Sequence, residues 1–148
     1  MCYVTLLSTT SASDLAMHNT KLVTYSRALP GVPEEKYLRH ANKWYLGSKS
    51  GCSCDFRHLY VGSVSLGFGE PEEWYAEDLE DIEATRQVIS LIRELISAGA
   101  EVECVDAWAH GQDEAEPLAG DQEVNLAEVG DAQFRFFEGH RFAFKRGT

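Results

Sequence analysis

Eight consecutive residues, Gly51 to His58 (GCSCDFRH), carry two thiols, a carboxylate, a guanidinium and an imidazole. These are the groups from which zinc sites, thiol nucleophiles and redox pairs are built. Read as an extended strand, the stretch puts Cys52, Cys54, Phe56 and His58 on one face, with successive members about 6.7 Å apart. A zinc ion can then join Cys52 and Cys54 only where their side chains converge, and His58, about 13 Å along the strand from Cys54, joins them only through a bend. The usual C-x2-4-C spacing is absent, and no second cysteine pair follows nearby; Cys104, His110 or His140 would have to arrive through the fold. Cys52, Cys54 and His58 are the candidate metal ligands and zinc the candidate ion, against a competing reading in which the sulfurs are core filling and no cofactor is bound.

The same residues raise thiol chemistry. A nucleophilic cysteine needs a nearby cation or a helix N-terminus, together with access to solvent. Arg57 and His58 supply cations in sequence, but in a regular strand Arg57 points away from both cysteines. A Cys52–Cys54 disulfide lies at the upper limit of disulfide geometry. Cys2 and Cys104 read as small buried hydrophobes.

A second grouping is Asp55, Arg57, Trp74, Asp106, Trp108 and His110. The run DAWAHG follows a predicted strand, where open sheets often face a cleft, and combines a carboxylate, an indole and an imidazole. The structural alternative pairs Asp106 with Arg57 as a buried ion pair. The catalytic candidates are Cys54, His58, Asp106 and His110. The Gly-rich GSVSLGFGEP lacks the Gly-Lys-Ser/Thr ending of a phosphate loop, and neither HExxH nor GxSxG occurs.

The elements that must position these groups follow from periodicity. CYVTLLS reads as a central strand, and KLVTYSRAL as strand or helix. PEEKYLRHAN opens as a short helix does. KWYLGSKSGCSCDFRHLY reads as a hairpin with Trp44, Leu46, Cys52, Cys54 and Phe56 on its inner face. Leu79, Ile82, Val88, Ile89, Ile92, Leu95 and Ile96 recur at helical spacing, so a helix is expected from about Leu79 to Ala98, capped by Asp78 and stopped by Gly99. AEVECVDAW alternates as a half-buried strand, residues 110–132 read as an acidic surface loop, and FRFFEGHRFAFK reads as a terminal hairpin. The order implies a single α+β domain over residues 1–148, with a mainly antiparallel sheet, one long helix and short helices on one face. A ferredoxin-like core with the C-terminal hairpin added is the topology drawn first.

The 148 residues carry a net charge of −11, unevenly spread. Residues 58–134 hold two Lys or Arg against nineteen Asp or Glu, whereas residues 135–148 hold four against one. Such a field repels phosphate backbones and anionic lipids, so neither nucleic acid nor membrane is the expected partner. MCYVTLLSTT lacks the basic leader of a signal peptide, and a cytoplasmic protein is expected. These observations favour a binding protein over an enzyme, an inhibitor or immunity-type partner of a basic protein, with Glu72, Glu73, Trp74, Asp113 and Glu114 as contact residues. The alternatives are the zinc or thiol site on Cys52, Cys54 and His58, and a structural homodimer joined through an exposed strand edge.

Overall fold

The computed structural model describes residues 2–72 and 76–147. Its strands are β1 (Cys2–Thr9), β2 (Val23–Ser26), β3 (Asn42–Ser48), β4 (His58–Leu59), β5 (Val102–Ala109), β6 (Gly120–Asn125), β7 (Phe136–Phe137) and β8 (His140–Lys145). Helix α1 spans Leu79–Ser97. Six strands form one sheet in the order β2-β3-β1-β5-β8-β6, antiparallel throughout except for β6 beside β8, while β4 and β7 form a small parallel pair. The architecture is α+β with one main helix. A ferredoxin-like core goes beyond what this sheet shows.

Helix α1 forms as its sequence dictates. The Asp78 carboxylate accepts from the Glu80 N–H at 2.8 Å, and Gly99 leaves the helix with φ +96, a conformation that costs other residues strain. Its apolar stripe of Val88, Ile89, Ile92 and Leu95 packs with Leu7, Cys104 and Phe142 of the sheet in the main core. Ile89 is fully buried there, so Ile89→Ala removes about 2–5 kcal/mol of stability.

The other sheet face has a smaller core of Val4, Leu6, Val105 and Leu38, packed by Leu29, Val32 and Tyr37. The short 3-10 helix Pro33–Tyr37 lies on this side, so the short helices do not all share the face of α1 as the sequence suggested. Three further expectations change. Residues 49–57 are a succession of turns, with strand only at His58–Leu59, because their polar groups bond to β1, β3 and one another and not to a ladder partner. The 110–132 stretch contains an edge strand, β6, whose Val124 is fully buried. The C-terminal aromatic runs are not a hairpin: β7 pairs with β4, while β8 sits between β5 and β6, and Phe134, Phe136 and Phe142 fill the main core. No helix among the described residues is long and apolar enough to cross a membrane.

Candidate functional site: a three-cysteine cluster

The ladder between β1 and β3 ends at Thr5 opposite Leu46, although β1 continues outward through Val4, Tyr3 and Cys2. The 49–57 turn occupies that end, held by the hydroxyl of Ser53. Ser53 Oγ accepts from the Thr5 N–H at 2.9 Å and donates to the Leu46 carbonyl at 2.5 Å, taking the place of a missing backbone rung. Both backbone groups are buried, and leaving either unpaired would cost about 1–3 kcal/mol. The turn closes on itself through Ser48 N to the Cys52 carbonyl at 2.7 Å and Gly51 N to the Ser48 carbonyl at 2.9 Å. Gly51, at φ +90, adopts the left-handed conformation this requires. The Asp55 carboxylate accepts from Ser48 Oγ at 2.9 Å and from the Ser50 N–H at 3.3 Å.

Because Ser53 is pinned to β1, the residues on either side of it reach the start of that strand. The Sγ atoms of Cys2, Cys52 and Cys54 lie within 4.8 Å of one another, and all three residues are half-buried. All three are free thiols. Burial opposes ionisation of Cys52, but the Cys54 N–H and the thiols of Cys54 and Cys2 all donate to its sulfur, and the net effect is to hold it below the ordinary thiol value. Cys54 is pushed up to about 12, by burial first and then by its neighbouring sulfurs, against a bond from the Tyr3 N–H. A first negative charge is therefore favoured on Cys52, while Cys54 resists carrying one.

His58 supports this site from behind and does not join it. Its Nδ1 lies 2.8 Å from Asp106 Oδ2 and its Nε2 lies 2.6 Å from the Ser53 carbonyl. Two acceptors require two N–H donors, so the ring is an imidazolium. Its side chain is 5% exposed and that of Asp106 is fully buried. Burial lowers its proton affinity, but the Asp106 charge and both hydrogen bonds outweigh it and the net shift is upward. The Tyr3 ring stacks on the imidazolium at 4.0 Å with a 4° interplanar angle. Asp106 also accepts from Thr5 Oγ1 at 2.9 Å.

The sequence expectations are corrected accordingly. Cys2, read as a buried hydrophobe, is a member of the cluster, and His58 is not a candidate ligand because both its nitrogens are engaged. Arg57 does not pair with Asp106. It forms a two-pronged bond to Glu77, both contacts at 2.8 Å, and donates to the Gly69 and Ala132 carbonyls, with its side chain fully buried. His110 lies 3.1 Å from Glu116 on an exposed loop, apart from the cysteines. Asp113 and Glu114 are exposed and Glu72 is half-buried; Glu73 and Trp74 lie outside the described residues.

Two hollows flank these groups. One, about 250 Å³, runs from Cys54 past Tyr3, Phe56 and Tyr60 to Asp78 and Asp81 at the start of α1. Asp81 is held up to about 6, by burial first and then by Asp78 and Asp55. The other, about 280 Å³, lies beside the outer end of β5 and is walled by Glu34, Asp106, Trp108, Glu116 and Glu138. Glu34 is 4% exposed and accepts from Gln112 Nε2 and the Glu116 N–H. No protein-family model matches the chain, and comparison with curated proteins and with solved structures gives no match.

Proposed function

We propose that the chain binds a soft, thiophilic metal ion through Cys2, Cys52 and Cys54. The observation that carries this reading is the convergence of three sulfurs within 4.8 Å from two segments far apart in sequence. A tetrahedral zinc ion with bonds of about 2.3 Å places its sulfurs about 3.8 Å apart, so the cluster needs only a small contraction to close on an ion. Backbone N–H groups aimed at Cys52 and Cys54 support the same reading, since metal-bound thiolates are held and tuned by such outer donors. Binding displaces thiol protons, which links affinity to pH.

The test is a native mass spectrum of reduced protein, with zinc added and after chelation. One zinc per chain is expected for the native sequence and for Cys104→Ala, whose sulfur is buried in the main core away from the cluster. It is expected to be lost in Cys52→Ser. A bare chain mass both with zinc and with copper(I) in excess would rule the reading out.

A second reading, binding of a basic protein, is favoured by the cavity beside β5, which Glu34, Glu116 and Glu138 line together with Trp108. A lysine or arginine side chain entering it would meet both charge and an aromatic face. Affinity for an Arg-rich peptide that did not fall as salt rises would remove the electrostatic basis of this reading.

A further inference from the structure

We propose that the ion for which the cysteine cluster is built is copper(I), held by three sulfurs alone and preferred over zinc. This inference rests on the metal reading above and deepens it by naming the ion.

The donor set is the first argument. Among the described residues, the group that could hold an ion consists of Cys2, Cys52 and Cys54 with no nitrogen or oxygen donor. The nearest groups in sequence are committed elsewhere. His58 gives both ring nitrogens to Asp106 and the Ser53 carbonyl. The Asp55 carboxylate takes Ser48 Oγ and the Ser50 N–H. Structural zinc is closed by four protein ligands, so zinc here would need a fourth ligand from outside the cluster. Copper(I) is softer, is selected by thiolates, and is satisfied by three of them.

Charge is the second argument. Three thiolates around a monovalent ion leave two negative charges on the sulfurs, one more than zinc would leave. Two peptide dipoles offset part of this excess, the Cys54 N–H at the Cys52 sulfur and the Tyr3 N–H at the Cys54 sulfur, against the burial and neighbouring sulfurs that oppose charge on Cys54. Both donors sit on backbone that Ser53 fixes against Thr5, so they need no rearrangement when the ion arrives.

The experiment uses the full chain, reduced and handled without oxygen. Copper(I) is supplied from a chromophoric copper(I) chelator and then challenged with an excess of zinc. One copper per chain is expected, with X-ray absorption showing sulfur neighbours only and with no displacement by zinc. Cys52→Ser should weaken copper binding by more than the roughly 10–100-fold that losing an outer-shell partner costs. Should that variant fail to fold by circular dichroism, Cys2→Ser at the first residue of β1 carries the same expectation. Zinc that holds the site against equimolar copper(I), or a bound copper with a nitrogen or oxygen neighbour, would overturn the proposal while leaving the metal reading intact. A chain that takes neither ion would end both.

Discussion

His58 is held at one ring nitrogen by a buried carboxylate and at the other by the carbonyl that separates the two cysteines, so its charge couples β5 to the cluster turn. The sign of its effect on stability follows from the direction of its shift. Its proton is bound more tightly in the folded chain than the ordinary value of about 6.5, so its contribution is complete below that pH and is lost as pH rises through the folded value. Urea unfolding from pH 6 to pH 9 should therefore show a falling midpoint in the native sequence and a flatter profile in His58→Gln. At pH 6 that variant should be less stable by about 3–5 kcal/mol, because Asp106 keeps its buried charge and loses the opposite one. Parallel profiles would show that the ring is neutral. Ser53 acts through hydrogen bonds instead of charge. Ser53→Ala strips the partner from the buried Thr5 N–H, an expected loss of about 1–3 kcal/mol in urea unfolding, and frees the turn. Metal affinity should fall with it by about 10–100-fold, measured by chelator competition. An unchanged affinity at reduced stability would make Ser53 a folding residue only.

At the scale of elements, the start of α1 and the cysteine turn face each other across the cleft that holds Asp81. Asp81 takes its proton in the folded chain at about 6, well above its unfolded value, so the folded state is favoured while Asp81 is protonated and loses that advantage as pH rises from about 4 through 6. Asp81→Asn should leave stability near pH 4 unchanged and raise it at pH 7. The carboxylate is half-buried and partly screened by solvent, so the gain should be no more than about 1 kcal/mol, and a loss at pH 7 would mean that the helix dipole outweighs burial and the repulsion from Asp78 and Asp55. The elements themselves were legible in proportion to their periodicity. Helix α1 and its Asp78 cap could be read directly from one apolar stripe, and β1 from its apolar run on both faces; β5, expected to be half-buried, also buries both faces, Cys104 in the main core and Val105 in the smaller one. The turn at 49–57 could not, since alternating Cys52, Cys54, Phe56 and His58 imitates a strand while the hydrogen bonds that decide its shape go to Thr5 and Leu46. The terminal aromatic runs imitate a hairpin for a similar reason. Buried alternation holds only in the second run, at His140, Phe142 and Phe144, whereas residues 134–137 are all buried, and β7 takes its partner from β4 while β8 takes its partners from β5 and β6. Cys2 carried no local signal at all, because its partners arrive from the turn after β3.

For the whole molecule, the consequence is that one ion would tie the outer end of a central strand to a turn that otherwise depends on side-chain bonds. The chain's net charge of −11 attracts every cation, so charge alone cannot make the site selective; sulfur must. Magnesium or calcium should therefore leave thermal stability unchanged, whereas a thiophilic ion at about 1,000 times its dissociation constant should add about 4 kcal/mol. That stabilisation should also be local. Because Cys2 begins β1 and Cys52 and Cys54 flank Ser53, amide exchange should slow at residues 2–5 and 49–57 on metal addition. The edge strand β6 lies at the far side of the sheet, separated from β1 by β5 and β8, and its exchange by local opening should change little. Protection confined to the acidic 110–116 loop and the walls of the β5 cavity would instead place the ion among carboxylates and remove the cysteine cluster from consideration. The Cys2→Ser chain supplies the control, since it keeps every acidic group and should lose the response at both ends of the cluster together.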